Sequence, residues 1–290
     1  MAVPIPAPAK VNLFLHVGSR RADGYHLIES LVAFADIGDD LRFVPGGNGF
    51  SIRVDGRFAK DAGAPEKNLV LKAANTLSRK LSGIDGGEFL LTKNLPAGAG
   101  LGGGSSDAAA ALRMLAKENR LAPDHPAVLE AARETGADVA VCLEGEARLI
   151  TGIGDILSVP VSIPALPAVL VWPGAPASTP EVYRAFDEAK MNRSTPFGIR
   201  REDIPAERDA FIDFLKKQSN DLTRAAWRVT PYVAEADAVL RAVDRTLMIR
   251  MSGSGSAVFA LYASLDEAEA EAKAVRDRYP GWWVKATTLR

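Results

Sequence analysis

The residues of this chain best suited to chemistry form a glycine-rich run at positions 96–107. The run follows a strand-like segment, 88–93, and precedes an Ala- and Leu-rich segment, 107–117, whose pattern is typical of a helix. Glycine lets the backbone approach a ligand, and a helix start offers unpaired N–H groups and the positive end of the helix dipole. The run therefore predicts a phosphate-binding loop. The simpler alternative is a turn in which Ser105 or Ser106 caps the helix.

The glycine spacing indicates which kind of phosphate-containing ligand the loop would bind. No Gly-Lys-Ser/Thr ending is present, so the run is not a Walker A loop. Gly98, Gly100 and Gly103 fit the G-x-G-x-x-G spacing of dinucleotide-binding and protein-kinase loops. A dinucleotide loop should follow its strand directly, whereas residues 94–96 intervene here, and the His-Arg-Asp and Asp-Phe-Gly motifs of protein kinases are missing. The run thus favours a nucleoside triphosphate over a dinucleotide.

Composition and charge exclude several classes of function. The 290 residues suffice for one large or two ordinary domains, and the net charge of -1 gives no basic field for nucleic acid. Cys142 is the single cysteine, so an internal disulfide is impossible, and the 3 histidines show no zinc-type spacing. No secretory signal and no apolar run of about 20 residues is visible, which predicts a cytoplasmic protein without a membrane partner.

The elements around the loop read as an α+β protein in two domains. Alternation in residues 9–17 predicts a strand that carries Lys10 and Asn12 on one face. Residues 139–143 read as a short strand and residues 191–205 as a polar loop. A Pro-rich stretch, 159–167, predicts a domain boundary that divides the chain into domains 1–160 and 161–290.

Several stretches together resemble the GHMP kinase superfamily, the family of galactokinase, homoserine kinase and mevalonate kinase. Its three motifs are matched by residues 8–13, 95–106 and 251–256. Further stretches resemble the branch that acts on 4-diphosphocytidyl-2-C-methyl-D-erythritol: Arg-Ala-Asp-Gly-Tyr-His at 21–26, Lys-Asn-Leu at 67–69, Gly-Ala-Asp-Val at 136–139 and Asn-Asp-Leu at 220–222. They follow the family's order over nearly the whole chain.

The resemblance implies the fold and the ATP site. It implies an N-terminal domain like domain 2 of ribosomal protein S5, a ferredoxin-like C-terminal domain, and a left-handed crossover around the loop, against the usual rule. It also implies ATP and Mg²⁺ as cofactors, with Asn68 near the adenine. The ATP loop would comprise Pro96, Ala97, Gly98, Ala99, Gly100, Leu101, Gly102, Gly103, Gly104, Ser105 and Ser106.

The resemblance also implies an acid/base pair. Asp138 would take the proton of the substrate's 2-hydroxyl, and Lys10 would hold Asp138 ionised and stabilise charge on the transferred group. Ala140 and Cys142 stand where the family usually has Pro and aromatic residues, which indicates different packing beside Asp138. The metal ligands stay unknown, with Ser106 and Asp107 as candidates by position only.

Substrate recognition is implied at five further positions. Tyr25 would stack on the cytosine, and His26 would read the edge of the base. Tyr183 would lie on the opposite face of the base, although it also fits a helix core position beside Val182 and Phe186. Asn12 would bind the methylerythritol part or its phosphates, and Thr179 would contact the substrate.

Three alternative functions stay open at this point. A mevalonate- or homoserine-type kinase of the same superfamily would share the loop and lack the cytidyl-binding residues. A non-catalytic nucleotide-binding paralogue predicts that Lys10 or Asp138 is lost, yet both are present. An RNA-binding protein would fit the S5-like fold, but it predicts a basic patch that the net charge of -1 does not support. The oligomeric state is not indicated.

Overall fold

The computed structural model describes residues 3–190 and 198–290. They form two compact units that interleave along the chain. The first unit comprises the described residues of Met1–Lys10 together with Ile37–Ala97 and Gly102–Gly145, and the second comprises Val11–Asp36, Gly98–Leu101 and the described residues of Glu146–Arg290. Of the loop predicted over 191–205, residues 191–197 lie outside the described residues. The boundary predicted after residue 160 stays a prediction.

Two long strands contribute to both units. Strand β1 spans Ile5–Arg20 and strand β2 spans His26–Pro45. The sequence predicts two strands within β2, over 27–35 and 41–44, and the structure shows that this division is wrong. The intervening segment contains Gly38, whose Cα packs so closely on the backbone of Ala7 that a Cβ would lie 2.2 Å from the Ala7 carbonyl oxygen. The polar residues there keep the extended conformation and do not form a turn.

The first unit builds a small sheet and a group of helices. Strand β4 (Gly87–Thr92) pairs antiparallel with the end of β2 and parallel with β3 (Phe50–Asp55). Alternate residues of β4 are buried, as expected for a strand with one face in the core. The helices α1 (Leu69–Lys80), α2 (Gly103–Glu118), α3 (Pro126–Thr135) and α4 (Ala137–Glu144) pack on one another.

Two sequence predictions in this unit are wrong. Helix α2 begins at Gly103, not at Asp107, and its N-cap is Gly102 with a φ of 64°, so neither Ser105 nor Ser106 caps it. The strand predicted over 139–143 is helix α4. The alternation of Val139 and Val141 suggested a strand, but packing against α2 and α3 buries both valines on a helix.

The second unit adds further strands to the end of β2 that belongs to it. They are β5 (Arg148–Thr151), β6 (Ile156–Leu157), β7 (Leu166–Trp172), β8 (Met248–Met251), β9 (Val258–Leu261) and β10 (Trp283–Leu289). An antiparallel sheet has the order β2, β10, β7, β9, β8, and β5 and β6 extend the pairing from residues 30–32 of β2. The core of this unit includes fully buried Phe186 and Tyr262.

Within the described residues, five helices accompany this second sheet. They are α5 (Thr179–Glu188), α6 (Arg208–Lys216), α7 (Thr223–Val229), α8 (Tyr232–Arg241) and α9 (Leu265–Arg278). Among residues 3–190 and 198–290, no helix has the length and apolar character that a membrane span requires. The mixture of strands and helices in both units confirms the predicted α+β class.

Candidate active site

A lysine and an aspartate meet in the first unit, as the sequence predicts. Lys10 lies on β1, and Asp138 lies in the first turn of α4. The Lys10 Nζ donates to Asp138 Oδ1 at 3.0 Å, with side-chain exposures of 6% and 46%. The buried ammonium therefore contacts a carboxylate that solvent still reaches. Such a carboxylate can accept a proton from a bound hydroxyl group.

The start of α2 adjoins this pair. A Cβ on Gly102 would lie 3.1 Å from both Cβ and Cε of Lys10, and its φ of 64° favours glycine. No described side chain caps the helix at this end, so the N–H groups of its first turn are available to an anion. The Ser106 hydroxyl instead donates to the Pro8 carbonyl at 2.6 Å. The geometry fits a phosphate group beside Lys10.

Residues 98–101 of the loop belong to the second unit, where they contact the third motif. The Ser252 hydroxyl donates to the Gly100 carbonyl at 2.8 Å, and the Ala257 N–H donates to the Ala99 carbonyl at 2.8 Å. A Cβ on Gly100 would lie 2.4 Å from the Ser252 carbonyl oxygen. The third motif therefore holds the loop backbone, and no side chain larger than hydrogen fits at Gly100.

The remaining nucleotide and metal candidates have roles inside the fold. Asn68 Oδ1 accepts the Val70 N–H at 2.9 Å and caps α1; its predicted contact with adenine stays a prediction. Asp107 is buried and accepts from Lys93 Nζ at 2.7 Å. In the described part of the chain, no three His, Cys, Asp or Glu side chains group as metal ligands would.

A cavity of about 700 Å³ in the second unit contains most of the predicted substrate residues. The rings of His26 and Tyr183 lie 5.0 Å apart at 35°, and Tyr25 is 61% exposed. Tyr183 lines the cavity, while Val182 and Phe186 are fully buried and supply the core of α5. The lining residues are Arg20, Gly24, Tyr25, His26, Ile28, Ile153, Thr179, Pro180, Tyr183, Arg184, Asp187 and Glu188.

Sequence reasoning missed Asp187 in this cavity. His26 Nε2 donates to Asp187 Oδ1 at 2.7 Å, and Arg20 Nη1 lies 3.8 Å from Asp187 Oδ2. Only 4% of the His26 side chain is exposed. One ring nitrogen of His26, Nε2, is therefore already hydrogen-bonded within the protein. The predicted contact of His26 with the edge of the base stays a prediction. No local pattern could have revealed Asp187, because it lies 161 residues from His26.

Asn12 lies outside the cavity lining. Its Nδ2 donates to Ser30 Oγ at 2.7 Å, and its backbone N–H donates to Ser252 Oγ at 3.1 Å. Thr179 does line the cavity, and its hydroxyl lies 2.7 Å from that of Ser254. Asn12 is therefore placed at the third motif and not beside the aromatic residues.

The altered surroundings of Asp138 contain an inert thiol. Burial raises the pKa of Cys142 to about 12, with a further contribution from the Asp138 carboxylate. The backbone carbonyl of Cys142 accepts from Arg113 Nη1 at 2.8 Å. Cys142 is thus a core residue, as its sequence context predicts.

Comparison with known proteins reveals similarity along the whole chain. The models of the GHMP kinases N terminal domain and the GHMP kinases C terminal match residues 68–146 and 213–281. A 4-diphosphocytidyl-2-C-methyl-D-erythritol kinase of Methylorubrum extorquens is 47% identical, over 98% of this chain and 97% of that protein. One of Rhodopseudomonas palustris is 44% identical, over 98% and 97%.

A solved structure supports the same relationship. The crystal structure of a 4-(cytidine 5'-diphospho)-2C-methyl-D-erythritol kinase is 35% identical, with a TM-score of 0.78 over 99% of each chain. The similarity therefore extends from the sequence to the fold.

Proposed function

This chain belongs to the GHMP kinase family, and we propose that it transfers the γ-phosphoryl group of ATP to the 2-hydroxyl of 4-diphosphocytidyl-2-C-methyl-D-erythritol. The reaction belongs to the non-mevalonate route to isoprenoid precursors. The observation that carries the proposal is the contact between Lys10 and the half-exposed Asp138, beside the start of α2. The proposal includes a cytoplasmic location, which is the expectation for a biosynthetic enzyme related to these bacterial kinases.

Asp138 is the general base of the proposed reaction. Its carboxylate accepts the proton of the 2-hydroxyl as the oxygen attacks the γ-phosphorus. Lys10, which donates to Oδ1 at 3.0 Å, holds the carboxylate in place and stabilises negative charge on the transferred group. Phosphoryl transfer needs little else from the protein besides placement of the reactants and compensation of charge.

The loop binds the phosphates in this proposal. The uncapped first turn of α2, from Gly103 to Ser105, donates N–H groups, and residues 96–102 form the approach to it. Glycine is needed at 100 because the backbone lies against the Ser252 carbonyl, and at 102 because the backbone is left-handed beside Lys10. Bound together with ATP at this loop, Mg²⁺ would compensate the charge of the phosphates.

The aromatic cavity binds the cytosine. Tyr25 and Tyr183 each offer a face on which a base stacks, worth about 1–3 kcal/mol per base by analogy with single-strand recognition. Thr179 is placed at the same cavity, and His26 is held by Asp187. Asn12 stays a candidate for the methylerythritol part or its phosphates.

Substrate-dependent release of ADP tests the proposal. ADP is measured with a coupled assay in the presence of 4-diphosphocytidyl-2-C-methyl-D-erythritol, mevalonate or homoserine. We expect release with the cytidyl substrate alone, and Asp138→Asn serves as the inactive control. Release only with mevalonate or homoserine would assign the chain to another kinase of the family. Nucleotide binding without release on any acceptor would favour a non-catalytic paralogue.

A further inference from the structure

Three buried charged side chains meet in the first unit beside the loop. Asp39 lies on β2, Lys93 follows β4 directly, and Asp107 lies in α2. The Lys93 ammonium donates to both carboxylates, and its distance to Asp107 Oδ2 is 2.7 Å. The side-chain exposures of Asp39, Lys93 and Asp107 are 0%, 6% and 4%. We call these three residues the Lys93 cluster.

The cluster holds the segment that leads into the loop. Asp39 Oδ1 accepts two backbone N–H groups, that of Asn94 at 2.5 Å and that of Leu95 at 2.8 Å. These residues immediately precede the loop, which begins at Pro96. A carboxylate that accepts two backbone N–H groups and one ammonium has strong, directional partners. The chain therefore enters the loop from a position that Asp39 defines.

The cluster also holds the segment that follows the loop. Asp107 is the fifth residue of α2 and directly follows Ser106, the last residue of the predicted ATP loop. A Cβ on Gly103 would lie 3.4 Å from both Asp39 Oδ2 and Lys93 Nζ, so the cluster contacts the first residue of the helix. One ammonium thus connects the strand before the loop with the helix after it.

The charge composition of the cluster is not the one that stability of the fold alone would favour. Two carboxylates share one ammonium, and Asp107 Oδ1 is buried with no hydrogen-bond partner among the described residues. Burial, opposed by Lys93 and reinforced by Asp39, raises the pKa of Asp107 to about 7. Buried ion pairs contribute little to stability compared with well-packed apolar residues of similar volume. A role in fixing the geometry of the loop explains why charged residues occupy these three buried positions.

We propose that Lys93 is a positioning residue for the nucleotide site, which fixes both ends of the glycine loop through Asp39 and Asp107. The inference rests on the proposed role of this loop in binding ATP, and it extends that role to residues that do not themselves contact the nucleotide. A loop fixed at both ends presents its N–H groups without an ordering cost on binding. Loss of the cluster therefore weakens nucleotide binding more than binding of the acceptor.

The test compares Lys93→Met with Lys80→Met. Lys80 also contacts two carboxylates of the same unit, Glu130 at 3.1 Å and Glu134 at 2.6 Å, but it lies on α1 at the surface. For Lys93→Met we expect the Kd of ADP and the KM of ATP to rise about tenfold or more, with the KM of the acceptor within about twofold. Hydrogen exchange of amides 94–107 in the free enzyme should accelerate. Lys80→Met should leave all four measurements unchanged.

A second variant covers the possibility that Lys93→Met does not fold. Asp107→Leu releases the segment after the loop, while Lys93 keeps Asp39 as its counter-ion, so no buried charge is left unpaired. We expect faster exchange at residues 103–107, continued protection of the Asn94 and Leu95 amides, and weaker ADP binding. Native exchange rates over 94–107 and an unchanged Kd of ADP in the folded variants would overturn the proposal.

The same measurements separate this inference from the proposed function. Exchange and ADP binding need no acceptor. Weaker ADP binding in Lys93→Met, in an enzyme that fails to phosphorylate the cytidyl substrate, would support the positioning role and reject the proposed acceptor. If the enzyme phosphorylates that substrate but Lys93→Met does not weaken ADP binding, the proposed function would be supported and the positioning role of Lys93 rejected.

Discussion

Two lysines contact two neighbouring glycines at the start of α2, and their surroundings differ. Gly102 adjoins Lys10, whose partner Asp138 is 46% exposed. Gly103 adjoins Lys93, whose partners Asp39 and Asp107 are almost fully buried. Both sites are lysine–carboxylate contacts on one unit, so residue type alone does not distinguish them.

Exposure of the carboxylate is the difference that assigns the roles. A general base must reach a substrate hydroxyl, which Asp138 can do and the enclosed carboxylates cannot. Asp39 instead accepts backbone N–H groups, which is a means of fixing chain geometry. In our proposals, the same pair of residue types serves chemistry where the carboxylate is exposed to solvent and positioning where the carboxylates are buried.

The largest expected effect follows from removing the proposed base at the solvent-exposed Lys10–Asp138 contact. Asp138→Asn should lower kcat about 10²–10⁴-fold, because the amide cannot accept the proton, and it should leave the Kd of ADP nearly unchanged. Its oxygen can still accept from Lys10, so we expect only a small change in Tm. Steady-state kinetics and ADP titration measure both quantities. Near-normal kcat in this variant would remove Asp138 from the role of base.

Removal of the positive charge at the same site should have the next largest effect. Lys10→Met keeps the apolar part of the side chain against Gly102 and deletes the ammonium. We expect kcat to fall about 10²-fold, as when one charge-stabilising donor is removed. Unchanged turnover, measured beside Asp138→Asn under the same conditions, would contradict the role of Lys10 in charge stabilisation.

Alanine substitutions at Gly102 and Gly103 test the Lys10 site and the Lys93 cluster separately, because each added methyl group meets a different lysine. In Gly102→Ala the methyl group meets Lys10 at 3.1 Å in a left-handed conformation, which costs about 1–2 kcal/mol by itself. In Gly103→Ala the methyl group meets the Lys93 cluster at 3.4 Å, an ordinary contact. We expect kcat to fall about tenfold in the first variant, from the strain and the displaced ammonium together, and to fall less in the second. Equal losses would show that the two sides of the helix start are equivalent.

The pH dependence of stability tests the enclosed site, where no change in kcat is needed to detect an effect. The pKa of Asp107 is raised from 3.8 to about 7, chiefly by burial, so between these values the folded protein binds more protons than the unfolded chain. The stabilising contribution of the protonated form is complete below about pH 4 and is lost as pH rises to about 7, with a slope of at most about 1.4 kcal/mol per pH unit. Asp107→Asn should remove this slope.

Urea unfolding at a series of pH values from 4 to 8 measures that slope. The informative quantity is the difference in free energy of unfolding between Asp107→Asn and the parent protein, since other titrating groups cancel. A difference that stays constant over the whole pH series would show that Asp107 keeps an ordinary pKa in the fold.

Local patterns succeeded where a single element supplied the signal. The sequence pattern predicts helices over 126–135 and 208–216, and α3 and α6 have these bounds, because each segment carries its own start, apolar face and end. The same reasoning predicted a strand over residues 139–143, where the structure has helix α4, because the conformation of a short apolar segment depends on its neighbours in the fold. Likewise, Ser105 and Ser106 are good N-cap residues by type, yet the N-cap of α2 is Gly102 in a left-handed conformation.

The sequence by itself determined the family and the α+β class, and it identified the glycine loop, Lys10 and Asp138 as candidate site residues, because each depends on residue types at fixed spacing. Tertiary structure alone decided which carboxylates Lys93 contacts and what holds His26. It placed Asp187 on His26 and brought Asp39 and Asp107 to Lys93. Burial and long-range contact set the environment of a charge, and neither is encoded in the spacing of neighbouring residues.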